Sequence, residues 1–344
     1  MAISDVCLSA RDEAVTWASL SKWFGQGVGT ILAKIQQISC RESEEIRLRI
    51  RQPLLIQTAR RDYFLNENSQ SVEPRQAYKI RTEDLREALE RMTHSSLYAA
   101  EPELRQGFLT LPGGHRVGVS GETIWQNQGL QTLKHISSLN VRIAHEVRGA
   151  GLALLPYLLG EDGSFRSSLL LSAPRAGKTT MIRDLIRLLS EGVAELHLAG
   201  QTVGVVDERG ELAGMWQGQP SYNLGIRTDI LDACPKSVGM AMLVRSMAPQ
   251  VIATDELGTA ADVAALSDAI RCGVAILSTA HARSLVEAQS RPVLRTLLQQ
   301  GAFERVVVLS RRNQPGTIEQ IIDPRNGREL FPPGRKIRAE SKGS

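Results

Sequence analysis

Long apolar runs are missing from this chain of 344 residues. None approaches the roughly 20 consecutive apolar residues that a membrane-spanning helix requires. The first ten residues also lack the basic start and apolar core of a secretory signal. These absences predict a cytoplasmic protein without a membrane span of its own, and they leave open a peripheral position at a membrane through a partner.

Cysteine is scarce, and its four positions are widely spaced: Cys7, Cys40, Cys234 and Cys272. They form neither a C-x-x-C pair nor a Cys/His pattern of the kind that binds zinc. The spacing therefore indicates buried or incidental thiols, and we predict no structural zinc.

Aromatic residues make up only 4% of the chain, and the formal net charge is a modest +4. Sites for single-stranded nucleic acid usually combine basic side chains with aromatic platforms, and no such pattern is visible. This absence argues against nucleic acid as a partner. The net positive charge and a basic, flexible tail predicted at residues 326–344 still keep a RecA-like nucleic-acid-binding protein open as an alternative.

The strongest chemical signal lies at residues 172–179, which read SAPRAGKT. An apolar run at residues 169–171 precedes it, and a helical pattern at residues 181–189 follows it. Strand, glycine-containing loop and helix in this order are the setting of a phosphate-binding loop. The sequence predicts a nucleoside triphosphate site formed by Ser172, Ala173, Pro174, Arg175, Ala176, Gly177, Lys178, Thr179 and Thr180.

The residues of this loop have different predicted roles. Backbone N–H groups at the start of the helix would surround the phosphates, because the positive end of the helix dipole favours anions. Lys178 would reach the β- and γ-phosphates, and the Thr179 hydroxyl would bind Mg²⁺. Thr180, one residue further along, would touch the α-phosphate.

Ser172 stands where the usual G-x-x-x-x-G-K-[ST] pattern has its first glycine. Glycine permits backbone dihedrals that cost other residues about 1 kcal/mol or more. We therefore expect strain at Ser172, with binding retained because Gly177 is present. A nucleotide-gated scaffold that binds ATP with little hydrolysis is the corresponding alternative.

Two further apolar runs end in acidic residues. Residues 251–254 lead to Asp255 and Glu256, the form of a Walker B motif. Asp255 would hold Mg²⁺, and Glu256 would orient and deprotonate the attacking water. Residues 203–206 lead to Asp207 and Glu208, which would either serve the Mg²⁺ and the water or form a structural ion pair.

The apolar run at residues 274–277 leads to His281. A polar side chain at the tip of a strand beside the acidic pair can sense the γ-phosphate, and histidine can act as a switch. The alternative is a surface histidine at a strand end. The strand context favours the functional interpretation.

Short apolar runs and longer helical patterns alternate in the second part of the chain. This alternation predicts an α/β fold with a mainly parallel sheet covered on both faces. The predicted strands cover residues 169–171, 203–206, 251–254, 275–278 and 306–309, and the predicted helices cover residues 178–189, 260–271 and 284–300.

The first part predicts a smaller α+β domain. Charged and apolar residues alternate at residues 45–50, which predicts a half-exposed strand, and residues 54–59 form a second candidate strand. Thr82 is the expected N-cap of a helix, and the turn at residues 112–114 predicts a hairpin. We place the domain boundaries at residues 1–148, 149–325 and 326–344.

Many ordered segments resemble the stage III sporulation protein AA family. The match runs from about residue 44 to residue 322, so it does not rest on the phosphate loop alone. The segments are EEIRLRIRQPL, GFLTLPGGHRVGVSG, LNVRIAHEVRG, APRAGKTT, VGVVDERGELAG, DACPKSVGMAMLVRSMAPQVIATDELG, GVAILSTAHA and FERVVVLS.

The resemblance implies a RecA/AAA+-like P-loop core related to type II and type IV secretion ATPases. It implies an ATP-hydrolysing, Mg²⁺-dependent motor or assembly ATPase in the cytoplasm of the mother cell. It also implies a homo-oligomer, a hexameric ring, that docks on a membrane-embedded complex between mother cell and forespore.

The resemblance also implies roles for single residues. Asp207 and Glu208 match the acidic box of secretion ATPases, and His281 matches the histidine box. Arg116 and Arg142 lie in segments from which an arginine could reach the nucleotide of a neighbouring subunit. The chain departs from the family at Ser172, where glycine is usual, and it lacks the four-cysteine zinc motif of many secretion ATPases.

Overall fold

The computed structural model describes residues 15–94, 100–105, 107–126 and 129–331. These residues form two compact units that meet in the chain between His145 and Glu146, slightly before the boundary expected at residue 148. Cys7 and the part of the predicted basic tail from residue 332 onward lie outside the described residues. The beginning of that tail is ordered, because Arg328–Glu329 forms a short strand.

The described residues of the first unit form a seven-stranded antiparallel sheet in the order β4-β3-β2-β1-β7-β6-β5. The predicted alternation of β1 is present, since Ile46 and Leu48 are fully buried. The strands are β1 Ser43–Arg49, β2 Leu55–Thr58, β3 Asp62–Leu65, β4 Ser71–Val72, β5 Phe108–Leu111, β6 His115–Gln126 and β7 Gly129–Arg142.

Four helices accompany this sheet within the described residues: α1 Trp17–Ser21, α2 Gln26–Ala33, α3 Thr82–Met92 and α4 Glu101–Arg105. The expectation that Thr82 caps α3 is wrong by one residue, because Thr82 is already helical and Arg81 precedes the helix. The Asp84 carboxylate accepts a hydrogen bond from the Arg81 backbone N–H at 2.7 Å and thereby satisfies the helix start.

The second unit contains an eight-stranded sheet among the described residues, in the order β10-β9-β11-β12-β8-β13-β14-β15. Strands β10 to β13 along this order are parallel, and β14 and β15 are antiparallel. The strands are β8 Ser168–Ser172, β9 Val203–Asp207, β10 Thr228–Asp232, β11 Val251–Glu256, β12 Ala275–His281, β13 Arg305–Ser310, β14 Thr317–Asp323 and β15 Arg328–Glu329.

The helices of the second unit are α5 Leu155–Leu158, α6 Lys178–Glu191, α7 Lys236–Ser246, α8 Ala260–Arg271, α9 Leu285–Ser290 and α10 Pro292–Gln299. The single helix predicted at residues 284–300 is wrong. Arg291 is extended, with φ −89° and ψ 123°, and separates α9 from α10. Pro292 explains the break, because the residue before a proline avoids the helical region.

The strand order brings together four strand ends that carry predicted site residues. Strands β9, β11, β12 and β8 are consecutive and parallel, so their carboxyl ends lie along one edge of the sheet. Every residue of β8 and β9 is buried, as expected for parallel strands covered on both faces. We call this edge, formed by the ends of β8, β9, β11 and β12, the acidic edge.

Candidate active site

The phosphate-loop residues connect β8 to the first turn of α6. Two of them adopt left-handed dihedrals: Arg175 with φ 58° and Gly177 with φ 87°. A Cβ atom at Gly177 would lie 2.7 Å from the backbone nitrogen of Gly316. Both the dihedral and the close approach therefore require glycine at this position.

Ser172 does not carry the expected strain. It is the last residue of β8, is fully buried and is not among the residues with positive φ. Its Oγ donates a hydrogen bond to the Ala173 carbonyl at 2.7 Å. The left-handed conformation of this loop falls on Arg175 and Gly177 instead, so the sequence-based explanation placed the cost at the wrong residue.

Lys178 is buried at the start of α6, and its hydrogen bonds go to the protein. Its Nζ donates to the carbonyl oxygens of Ser172 at 3.3 Å and Ala280 at 3.1 Å. It also lies 2.7 Å from Nδ1 of His281. Burial lowers the pKa of Lys178 to about 8, against an opposing effect of the Glu256 carboxylate.

His281 joins Lys178 to Glu256. Because a protonated lysine can only donate, Nδ1 of His281 accepts from Lys178 and the ring proton resides on Nε2. Nε2 then faces Oε2 of Glu256 at 3.3 Å. Arg209, which the sequence did not single out, approaches the same carboxylate oxygen at 3.6 Å. Three predicted site residues thus form one connected chain.

Asp255 lies beside a buried lysine. The Asp255 side chain is 6% exposed, and Nζ of Lys236 lies 2.8 Å from its Oδ1. Lys236 is also ion-paired with Glu208. Burial raises the pKa of Asp255 to about 6, and Lys236 partly offsets that effect.

The Asp207 carboxylate accepts hydrogen bonds from three backbone N–H groups. Its Oδ1 accepts from the Glu211 N–H at 2.8 Å, and its Oδ2 accepts from Leu212 at 3.0 Å and Ala213 at 2.8 Å. The geometry favours the structural alternative for Asp207, but with backbone amides in place of a basic side chain. Glu208, its neighbour, takes the ion-pair role through Lys236.

Lys236 and Arg183, like Arg209, are site residues that sequence reasoning missed. Lys236 is the first residue of α7, where a lysine opposes the helix dipole, and that mismatch was a usable signal. Arg183 in α6 donates to the Glu211 carbonyl through Nη2 at 2.6 Å and lies 3.5 Å from the centre of the Tyr222 ring. No signal in the sequence marks Arg183 among the other helix arginines.

The residues at Asp255 suit a magnesium ion that is shared with phosphate. No hydrogen-bond donor of a described residue reaches the buried Oδ2 of Asp255. Within the described ranges, no group of three or more His, Cys, Asp or Glu side chains converges to hold a metal. Magnesium sites with one carboxylate, a hydroxyl such as that of Thr179 and substrate phosphates are usual, so the donor set fits.

The chain matches the model of a known protein family over most of its length. The model of "Sporulation stage III, protein AA" matches residues 19–330. The chain belongs to this family. It is 39% identical over 292 residues to the stage III sporulation protein AA of Bacillus subtilis (strain 168), and the match covers 85% of this chain and 90% of that protein.

Solved structures show that this chain shares its fold with ATPases that include a pilus retraction motor. The Legionella pneumophila ATPase DotB matches with a TM-score of 0.50 at 12% identity, over 77% of this chain and 72% of that one. The pilus retraction motor PilT, solved with bound ADP, matches with a TM-score of 0.50 at 13% identity, over 78% and 74%. The predicted α/β P-loop fold is thereby confirmed.

The two candidate arginines of this family member lie in the first unit. Arg116 in β6 and Arg142 in β7 are opposite each other in the sheet register. The Arg116 guanidinium lies 4.2 Å from the centre of the Phe108 ring, and Arg142 lies 3.8 Å from Glu45.

In the described part of the chain, no helix has both the length and the apolar character needed to cross a bilayer.

Proposed function

We propose that this protein is a Mg²⁺-dependent ATPase that acts as a motor or assembly ATPase. One observation carries the proposal: the ends of β8, β11 and β12 bring Lys178, His281, Glu256 and Asp255 together. A cation for phosphate, a carboxylate for a metal and a second carboxylate for water are the parts that phosphoryl transfer uses. The choice of adenine rests on family membership.

Phosphate binding falls to the loop between β8 and α6. Backbone N–H groups of residues 173–178, at the positive end of the α6 dipole, surround the phosphates. Lys178 gives up its hydrogen bond to His281 and donates to the β- and γ-phosphates instead. Thr179 and Asp255 would hold Mg²⁺, which would neutralise charge that develops on the phosphate oxygens.

Water activation falls to Glu256. Its carboxylate is half-buried and lies beside the Nε2 proton of His281 and the Arg209 guanidinium. In the proposed reaction it orients the attacking water and accepts its proton. When Lys178 leaves Nδ1 of His281, the imidazole is freed to respond to the γ-phosphate, which makes His281 a sensor of nucleotide state.

Assembly and location follow from the family. We propose that the protein forms an AAA+-like homo-oligomeric ring, a hexamer, and acts at a membrane-embedded sporulation complex from the cytoplasmic side. Arg116 and Arg142 are the proposed arginines that reach the nucleotide of a neighbouring subunit. Family membership and the secretion-ATPase fold support these proposals.

Phosphate release from ATP by the full chain tests the proposed activity. We expect release that requires Mg²⁺ and that is lost in Lys178→Met, with the folded state of the variant checked by circular dichroism. Nucleotide binding without release above the Lys178→Met background would contradict the ATPase proposal and favour the nucleotide-gated scaffold.

A further inference from the structure

A buried lysine lies between two acidic strand ends of the site. Lys236 is ion-paired with Glu208 and with Asp255, whose Oδ1 is 2.8 Å from Nζ. The Lys236 side chain is only 3% exposed. A buried charge is stable only when it is paired, so the two carboxylates hold the ammonium group in place. Lys236 is therefore a buried cation of the acidic edge, held by Glu208 and Asp255.

The two carboxylates stabilise the charge of Lys236, whereas the dipole of its own helix disfavours that charge. It is the first residue of α7 and follows Pro235. The N-terminus of a helix carries a partial positive charge, which disfavours a lysine. The ion pairs with Glu208 and Asp255 outweigh this disadvantage. The helix itself does not favour a lysine at this position, so we attribute the lysine to its ion pairs at the acidic edge.

Asp255 retains the capacity to bind a second cation. Its carboxylate is buried, and neither oxygen accepts a hydrogen bond from a described donor; Oδ1 has the ion-pair contact with Lys236 at 2.8 Å, and Oδ2 has no such contact among the described residues. A divalent cation at Oδ2 would lie close to the ammonium group at Oδ1, and the two positive charges would repel each other in a poorly hydrated place. Free metal ions therefore meet a carboxylate whose negative charge Lys236 already offsets in part.

We propose that Lys236 keeps free divalent cations out of the acidic edge until a nucleotide brings the metal with it. A triphosphate carries enough negative charge to outweigh the repulsion, so the metal enters as its nucleotide complex. Lys236 is thus a positioning and selectivity residue. The inference rests on the proposed function, which assigns Asp255 to Mg²⁺.

Mn²⁺ binding to the nucleotide-free full chain, followed by electron paramagnetic resonance, tests this inference. Lys236→Met should bind Mn²⁺ at least about ten-fold more tightly than the wild type, because the repelling charge is gone. Arg245→Gln removes an exposed cation from the same helix and should match the wild type. Adding Asp255→Asn to Lys236→Met should abolish the gained binding.

Three results would overturn the inference. The first is a folded Lys236→Met variant with the Mn²⁺ affinity of the wild type, and the second is a gain that survives Asp255→Asn. The third needs no lysine variant: wild type that already binds Mn²⁺ at submillimolar concentration and loses it in Asp255→Asn. The titration contains no nucleotide, so a failed ATPase assay would remove the proposed function and leave this result standing.

Discussion

To bind a phosphate as proposed, Lys178 must first give up one of its contacts. An ammonium group has three protons, and its three acceptors here are the Ser172 carbonyl, the Ala280 carbonyl and Nδ1 of His281. The carbonyls belong to two neighbouring strands and are fixed, whereas the imidazole can rotate. We therefore expect a bound phosphate to replace the contact with His281.

Nucleotide affinity should fall above pH 8. Burial lowers the pKa of Lys178 to about 8 in the nucleotide-free protein, so Lys178 loses its charge as the pH rises through that value. Only the charged form donates all three protons to acceptors, and the affinity for ATP should fall about five-fold between pH 8 and pH 9. Calorimetric titration across this range checks the slope.

Lys178→Met is the control for this pH dependence. It should bind more weakly at every pH and show no fall between pH 8 and pH 9. A wild-type affinity that stays constant over this interval, or a Lys178→Met variant with the same slope, would contradict the assignment.

At the scale of single residues, the sequence predicted which residues belong to the candidate site better than it predicted the contacts that those residues make. The motif pattern singled out Lys178, Glu256 and His281, but their mutual contacts depend on strand order, which no local pattern contains. The same pattern assigned backbone strain to Ser172, because a consensus glycine does not reveal its dihedral angles. Lys236 was missed because its partners are distant in sequence: Asp255 lies in β11 and Glu208 lies in the turn after β9.

The far end of the turn after β9 is held by hydrogen bonds from two sides. Asp207 accepts three backbone hydrogen bonds from residues 211–213. Arg183 of α6 holds the Glu211 carbonyl from the other side. Since α6 begins at Lys178, a displacement at the phosphate loop can reach the turn that carries Glu208.

Asp207→Asn should lower the free energy of unfolding by about 1–3 kcal/mol. The amide supplies one acceptor oxygen where two are used, and its NH₂ group would face backbone N–H donors in a fully buried place. Asp229→Asn in β10 removes an exposed carboxylate and is the matched control. Urea unfolding of both variants checks this, and equal midpoints would show that the turn does not depend on Asp207.

At the scale of elements, apolar runs predicted β8, β9, β11, β12 and β13 because these strands are buried. The half-exposed strand β10 has no such run. The helix α7 leaves Val238 and Met242 exposed, as is Met247 just after its end, so its pattern lacks the polar face of an ordinary surface helix. The break at Pro292 was predictable in principle from the conformational preference of Arg291.

At the scale of the whole molecule, the chain consists of two compact units. The second unit contains the acidic edge and the phosphate loop, and the first contains Arg116 and Arg142. Catalysis by an arginine from a neighbouring subunit requires an assembly. The ring therefore stays a prediction that follows from family membership and the proposed ATPase activity.

Nucleotide should change the mass of the protein in solution. We expect a larger assembly with ATP and Mg²⁺ than without them, because each nucleotide would be shared between subunits. Sedimentation velocity measures this, and Lys178→Met should stay at the nucleotide-free mass under both conditions. A monomer in all conditions would contradict intersubunit catalysis.

Glu256→Gln tests the central claim, that the acidic edge hydrolyses the nucleotide bound at the phosphate loop. ATP affinity and single-turnover hydrolysis are measured on the same samples, with Glu195→Gln as a control at an exposed glutamate. We predict that Glu256→Gln keeps its affinity and loses hydrolysis by about 100-fold or more, while Glu195→Gln behaves as the wild type. Hydrolysis by Glu256→Gln at the wild-type rate would contradict the account.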